Sequence, residues 1–323
     1  MTRYLIITRT LLLCFTFTCF VQGSDLLSIG FWNIENLFDL KNDPHKRDDE
    51  FAIGGKKNVT SDIYDLKIKR SVEVLTDLNV DIIGLCEVEN ISVLSDLNNS
   101  YKDRDYKIIH FDSPDERGID NALLYDQNKF SVLASEAIEN RLGGNDKTRD
   151  ILYVKGIFLD IPLHIFVNHW PSNYGGKEQA IPKRKSTAEL LIRQIRTIQK
   201  NDKLAEIILI GDFNEDPNDD NVKKLEELGF INQMSFMMGD KGKGTYVYRG
   251  KDYFYDQIIV SEGLNINKGL HIMENSIFIL DKPKYRQQNG KYKHYPFRFW
   301  AGNKLLGGYS DHLATKIVIR KIK

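Results

Sequence analysis

Cysteine is scarce in this sequence, with three residues in 323: Cys14, Cys19 and Cys86. Two of them fall in an N-terminal apolar stretch, so the rest of the chain holds one thiol and no internal disulfide, and its stability has to come from a buried core. An excess of either charge is also missing. The 45 Lys and Arg balance 45 Asp and Glu, which excludes a global basic field that would draw in polyanions. Repeats, low-complexity tracts and linkers are absent, which predicts one domain over 24–323. No apolar run reaches the roughly 20 residues needed to cross a bilayer.

The N-terminus has a shorter apolar block, Leu11 to Val21, preceded by Arg3 and Arg9 and followed by Val21-Gln22-Gly23. This pattern predicts a secretory signal over 1–23, cut after Gly23, and a secreted or periplasmic product without a transmembrane anchor. Cut there, the chain keeps 43 Lys and Arg against 45 Asp and Glu. A lipoprotein-type cut before Cys19 is the other option, although Thr16-Phe17-Thr18 is a poor lead-in to it.

Apolar runs recur along the chain, and several end in polar clusters. Leu26 to Phe31 reads as a strand followed by Trp32-Asn33-Ile34-Glu35, with the charged loop Lys41 to Ser61 beyond it. A helical face over Ile63 to Leu78 leads to the strand Asp81 to Cys86, which ends in Glu87-Val88-Glu89. Tyr106 to Phe111 and Asn121 to Tyr125 read as strands, and Ile151 to Leu159 with Leu163 to Val167 as a hairpin turning near Asp160 and running into Asn168-His169. Lys183 to Gln199 has an apolar helical face. Ile207 to Ile210 reads as a strand buried on both faces and delivers Asp212, Asn214, Glu215 and Asp216. Carboxylate and carboxamide on alternate residues 212 and 214 point the same way if the extended backbone persists. Asp256 to Val260 and Leu313 to Ile319 complete the strands, the latter preceded by Asp311-His312. The mixture predicts an α/β fold with a mixed-sheet core and helices packed outside.

Each polar cluster has a bland reading: a turn at Asn33, a solvated carboxylate at Glu87, a satisfied histidine at His169, a cap at Asp311. Five such clusters beside apolar runs fit a cleft at the edge of a sheet core better than five coincidences. Cys86 stands beside Glu87, yet nothing in the sequence would depress its pKa, and it is expected to face the core.

Taken together, FWNIENLFD at Phe31, LCEVEN at Leu85, RGIDNALLYD at Arg117, VNHWPS at Val167, LIGDFNEDP at Leu209, YDQIIVS at Tyr255 and GYSDHLA at Gly308 resemble, in order and spacing, the endonuclease/exonuclease/phosphatase superfamily. WNIENLFD and GGYSDH are more similar to a secreted bacterial nuclease-like branch than to lipid or inositol phosphatases.

The resemblance implies a four-layered α/β sandwich, two central mixed sheets flanked by helices, with a Mg²⁺ site at the top of the sheets that Mn²⁺ could also serve. Glu87 matches the metal-binding glutamate, Asp311 a second carboxylate near the metal, and Asn33 the asparagine close to metal and scissile phosphate. Asp212 matches the aspartate that orients or deprotonates the attacking water, and Asn214 the asparagine that donates to a phosphoryl oxygen. His312 matches the histidine facing the phosphate, and Asp256 the acid that holds it. His169 stands where members carry histidine or tyrosine, with Asp120 as its expected acidic partner. Glu35 occupies a position that varies between acid and other residues, which leaves a second metal position open.

The implied activity is hydrolysis of a phosphodiester in DNA or RNA by in-line attack of water. Two alternatives share the fold: a phosphatase or lipid phosphodiesterase acting on inositol phosphates or sphingomyelin-like head groups, and a non-catalytic binding protein. Presence of Glu87, Asp212, Asn214, Asp256 and His312 together argues against the last. The segment 282–304 carries seven Lys or Arg, no acid, and six interleaved Tyr, Phe and Trp. It is the candidate contact loop for a nucleic acid, with a solvated loop and a lipid-dipping loop as the competing readings.

Overall fold

The computed structural model describes residues 25–143, 146–240, 242–266 and 268–322. The expected signal segment, 1–23, lies outside them. In chain order the elements are β1 (Leu26–Leu37), α1 (Ser61–Leu78), β2 (Ile82–Val88), α2 (Ile91–Ser100), β3 (Lys107–His110) and β4 (Asp120–Tyr125). There follow β5 (Ser131–Ile138), β6 (Ile151–Phe158), β7 (Ile161–His169), α3 (Lys177–Asn201), β8 (Ile207–Asp212), α4 (Asp220–Glu226) and β9 (Ile231–Asn232). A small hairpin, β10 (Tyr246–Tyr248) and β11 (Lys251–Tyr253), precedes β12 (Asp256–Val260). The chain closes through β13 (Leu270–Ile272), β14 (Phe278–Ile279), β15 (Trp300–Ala301), β16 (Lys304–Leu305) and β17 (Thr315–Lys321).

Two large mixed sheets result. One runs β13-β17-β1-β2-β4-β3, with β14 also on β17, and the other β5-β6-β7-β8-β12-β9. Each contains one parallel pair, β1/β2 and β7/β8. Parallel neighbours need a crossover, and α1 and α3 supply them. Alternation along the strands then divides the apolar residues between two layers. Ile208 and Ile210 of β8 join Ile29 and Phe31 of β1 and Ile317 of β17 in the core between the sheets. Ile207 and Leu209 face outward onto Leu191 and Ile195 of α3 and Val222 of α4. On the other outer face, Leu75 and Leu78 of α1 and Val93 and Leu97 of α2 cover Ile83 and Leu85 of β2. The layering is α/β/β/α, the four-layered sandwich that the resemblance implied.

Gly84 of β2 sits where the sheets approach closely: a Cβ there would come 2.7 Å from Ile210 Cδ1 and 3.1 Å from Val167 Cγ1. The β6/β7 hairpin turns on Leu159 and Asp160, both left-handed at φ 48° and 72°, the two-residue turn whose twist matches paired strands. Helix α3 begins at Lys177, ahead of Pro182 rather than after it. Cys86 faces the core between the sheets, as expected.

Candidate active site

The strand ends singled out from sequence come to one edge of the sandwich. Asn33 pairs with Cys86, next to Glu87, across β1/β2, and His169 pairs with Asp212 across β7/β8. Asp256, at the start of β12, pairs with Asp212 from the other side. His312 precedes β17, which lies antiparallel on β1. The C-terminal ends of the parallel pairs and the N-terminal ends of their antiparallel neighbours share that edge, so residues distant in sequence meet there.

Two irregularities aim the side chains. Register shifts between Asn33 and Leu37 on β1/β2 and between Cys86 and Val88 on β2/β4. Glu35, Asn36 and Glu87 take left-handed backbone at φ 57°, 55° and 62°, an uncommon conformation for non-glycine residues that clusters at functional sites. Strand β1 therefore continues through Asn33 and Glu35 instead of ending before them. Glu87 Oε2 accepts the Asn36 N–H at 3.0 Å, leaving Oε1 to face His169 Nε2 at 4.0 Å. The extended backbone does not persist past Asp212. Asn214 is left-handed at φ 50°, its N–H donates to Asp212 Oδ1 at 2.9 Å, and its carboxamide donates to the Trp170 carbonyl at 3.0 Å. Asp212 and Asn214 thus meet through a turn, not through strand alternation, and one amide hydrogen of Asn214 stays available for a ligand.

Asp212 Oδ2 is the hub. It accepts from Asn33 Nδ2 at 3.1 Å and lies 3.8 Å from both His169 Nε2 and His312 Nε2. Burial raises Asp212 to about 6, against the pull of nearby His312 and with the push of Asp256. Burial alone would discharge His312, but Asp256 and Asp212 outweigh it and hold the imidazole well above the ordinary histidine range. Its Nδ1 is 2.7 Å from Asp256 Oδ2, which fixes the other nitrogen toward Asp212. The Tyr246 ring stacks on the imidazole at 4.7 Å between centroids. His169 behaves oppositely: burial, then the Arg149 and Arg117 guanidiniums, keep it neutral. Burial likewise pushes the Cys86 thiol well up, so it is no nucleophile.

Asp120 does not support His169. Its Oδ2 lies 3.0 Å from His110 Nε2 and its Oδ1 accepts the Ser113 N–H at 2.8 Å, while His169 Nδ1 is buried without a hydrogen-bond partner. The β4 register gives the reason: Asp120 lies opposite Val88 and two residues from Ala122, which pairs with His110, so its carboxylate meets His110 in its own sheet while His169 belongs to the other. Glu35 is likewise not open for a second metal. It is 1% exposed, and its two oxygens accept the Phe299 N–H at 2.6 Å, the Trp300 N–H at 3.1 Å and Arg298 Nε at 3.4 Å. Burial and neighbouring Asp311 raise it to about 7. Asp311 lies at the cleft with its Oδ2 held by Arg298 at 2.8 Å.

Three functional neighbours escaped the sequence reading. Buried Arg149 contacts Asp115 at 3.3 Å and the Trp170 carbonyl at 2.8 Å, with its Nε unpaired; a lone arginine ahead of an apolar strand gave no signal. Lys67 donates to the carbonyls of Ile34 at 2.6 Å and Tyr309 at 3.0 Å. Its helical spacing from Ser71, Val74 and Leu78 marks it for the buried face. Tyr246 belongs to a hairpin too short for a periodicity to show.

Segment 282–304 divides. Lys282 and Lys284 pair with Asp77, Arg286 with Asp281 and Arg298 with Asp311, while Tyr285, Phe299 and Trp300 are buried. Lys291, Lys293 and exposed Tyr292 remain at the tip, where Tyr295 Oη accepts the Gly250 N–H of the β10/β11 hairpin.

The donor set at the cleft fits a hard divalent cation. Glu87 Oε1, 4.0 Å from His169 Nε2, and the carboxylate of Asp311 are hard oxygen donors of the kind Mg²⁺ or Mn²⁺ takes. Asp212, Asp256 and His312 also group closely enough to ligate, but the Asp256–His312 hydrogen bond and the proton on His312 make that set a proton-holding array.

Comparison with curated protein sequences finds no match. Solved structures with the same fold include Danio rerio TDP2 complexed with single strand DNA product, at 15% identity and TM-score 0.58 over 91% of this chain and 99% of that one. The human Nocturnin catalytic domain with bound sulfate is similar at 17% identity and TM-score 0.59, over 92% and 95% of the two chains. A Bacteroides thetaiotaomicron mannosyl-6-phosphatase is similar at 16% identity and TM-score 0.56, over 91% and 99%. A sequence model of the Endonuclease/Exonuclease/phosphatase family matches residues 28–321, and with the sandwich and the converged polar edge it places this chain in that family.

Proposed function

We propose that the protein is an exported, metal-dependent phosphodiester hydrolase acting on nucleic acid. The observation that carries the reading is the geometry around Asp212: its Oδ2 lies 3.8 Å from Nε2 of both His169 and His312, and His312 Nδ1 is 2.7 Å from Asp256 Oδ2, an arrangement in which the carboxylates favour the charged form of His312 while burial disfavours that of His169. Above pH 6 Asp212 is ionised and accepts a proton from a water beside it. That water's oxygen forms a bond to phosphorus as the bond to the leaving oxygen breaks. His312, with Nδ1 tied to Asp256, presents Nε2–H to a non-bridging phosphoryl oxygen and offsets the charge growing there. The remaining amide hydrogen of Asn214 offers a second donor. Glu87, with Asn33 and Asp311 as the further candidate ligands, would hold Mg²⁺ or Mn²⁺, which supplies positive charge to the phosphoryl oxygens when bound.

Nucleic acid as substrate is supported by Lys291, Lys293 and Tyr292 beside the hairpin that carries Tyr246 to His312. Danio rerio TDP2, of the same fold, is seen with a single-stranded DNA product. Export rests on the 1–23 pattern. The test offers the purified protein with Mg²⁺ plasmid DNA, single-stranded RNA, bis-p-nitrophenyl phosphate, an inositol polyphosphate and sphingomyelin side by side. Cleavage of DNA or RNA is expected; turnover of only a phosphomonoester or of sphingomyelin would replace this reading with the phosphatase or lipid one.

A further inference from the structure

Segment 282–304 holds one cation that belongs to the cleft itself. Glu35, Glu87, Asp212, Asp256 and Asp311 bring five carboxylates to this edge of the sandwich, where an anionic phosphate has to enter. His169 and His312 stand against Glu87, Asp212 and Asp256. Among the described residues, Arg298 is the only lysine or arginine with a nitrogen within 4.0 Å of any of the five, and it touches two of them, Glu35 and Asp311.

The chain fixes the backbone of Arg298 from both sides. Phe299 and Trp300, the next two residues, are buried and donate their N–H groups to Glu35 at 2.6 and 3.1 Å. The Tyr309 N–H donates to the Phe297 carbonyl at 2.6 Å, and the two segments pack so closely that a Cβ on Gly308 would come 2.6 Å from the Arg298 carbonyl oxygen. On that backbone the side chain uses one edge of its guanidinium. Nε donates to Glu35 Oε1 at 3.4 Å and Nη2 to Asp311 Oδ2 at 2.8 Å. The planar fork has a second edge, formed by Nη1 and the other hydrogen of Nη2. Among the described residues nothing accepts from Nη1, and the side chain is 44% exposed. An arginine oriented by carboxylates along one edge and open along the other presents two parallel donors, the geometry that matches two oxygens of a phosphate.

We propose that Arg298 is a substrate-binding residue whose Nη1/Nη2 edge takes two non-bridging oxygens of the phosphate in the cleft. It reaches the site through Asp311, the residue next to His312, so the guanidinium and the imidazolium both bring positive charge to an anion that five carboxylates would otherwise repel. The proposal deepens the hydrolase reading and rests on it for the identity of the anion. It has a second consequence. Arg298 and a cation at Glu87 both draw on Asp311, so removing the arginine frees that carboxylate rather than weakening the cation's hold.

The experiment measures binding apart from turnover. Inorganic phosphate is titrated into the full chain by ³¹P NMR, in EDTA and in MgCl₂, and Mn²⁺ is titrated by EPR, for the wild type, Arg298→Ala and Arg298→Lys. Arg298→Ala is expected to weaken phosphate binding by about 10- to 100-fold, the range for hydrogen bonds to charged groups, while Mn²⁺ affinity holds or rises. Arg298→Lys keeps the charge without the fork and should recover only part of the phosphate affinity. Unchanged phosphate binding in Arg298→Ala, or no phosphate binding by the wild type in either condition, overturns the proposal. A fall in Mn²⁺ affinity with phosphate affinity kept overturns it in favour of a residue that only positions Asp311. Full recovery in Arg298→Lys removes the two-donor contact and overturns it as well. Should Arg298→Ala fail to fold, Arg298→Lys carries the comparison through the same two titrations. A wild type that binds phosphate through Arg298 yet hydrolyses no phosphate ester sinks the hydrolase reading and leaves this site standing.

Discussion

His312 Nδ1 stands 2.7 Å from Asp256 Oδ2, both side chains buried, with the Tyr246 ring stacked on the imidazole at 4.7 Å. The imidazole is thereby held in one orientation and in its charged form, with Nε2 toward Asp212. His312→Ala and Asp212→Ala are each expected to lower turnover by about 10²- to 10⁴-fold, with the far-UV spectrum unchanged. Near-parental turnover of either variant on any substrate would sink the assignment.

The pH dependence has a definite sign. Asp212, raised to about 6, must lose its proton to act as acceptor, so activity rises as pH climbs through that value. His312, raised well above 6.5, must keep its proton, so activity falls only on the alkaline side. Asp256→Asn removes the carboxylate that most favours the imidazolium and should pull the alkaline limb toward neutrality. A kcat/KM profile whose alkaline limb does not move in that variant contradicts the pairing.

Chelation tests the oxygen donor set. EDTA should abolish hydrolysis and Mg²⁺ or Mn²⁺ restore it, while Glu87→Gln should demand a higher metal concentration for half-activity, since a carboxamide is a weaker ligand for a hard cation. Recovery by Zn²⁺ alone would be the contrary result.

Arg149→Met strips buried Asp115 Oδ2 of its partner and leaves only Arg117 against Oδ1 at 3.6 Å, so the cost should approach the about 3–5 kcal/mol typical of breaking a buried ion pair; the double change with Asp115→Asn should recover most of it. Because Arg149 helps to hold His169 neutral, the double variant should also show an upward shift of the His169 titration by NMR. A His169 pKa that stays put would mean burial alone sets it.

Lys291→Ala with Lys293→Ala should raise KM for DNA or RNA and flatten its salt dependence, leaving bis-p-nitrophenyl phosphate hydrolysis near parental. Arg298→Ala is the contrast. It releases Asp311 and Glu35, so its loss should appear on both substrates equally. Parental KM values for nucleic acid in the double variant would leave the tip as solvated surface.

Gly84→Ala should destabilise by about 1–3 kcal/mol through overpacking, because its Cβ would press on Ile210 and Val167. Denaturant unfolding reads this directly, and an unchanged midpoint would show that the sheets can part there at no cost.

The sequence by itself determined the strands and long helices that carry the site. Apolar runs such as Ile207–Ile210 and helical faces such as Ile63–Leu78 are local patterns, and burial on one face or two writes them into the chain. The polar groups at their ends were legible for the same reason, as departures from those patterns at Asn33, Glu87, His169, Asp212 and His312, while Asp256 was legible only through the family resemblance. Only the tertiary structure decided how these groups are spent. Bulges at Glu35 and Glu87 and the turn at Asn214 re-aim side chains that strand alternation would have sent elsewhere. The β4 register gives Asp120 to His110, and chain closure brings Phe299 and Trp300 onto Glu35, so that two expected site residues become supports for other groups. Arg149 was invisible beforehand, because a charge is informative only once its burial and partners are known, and those depend on contacts between segments far apart in the chain.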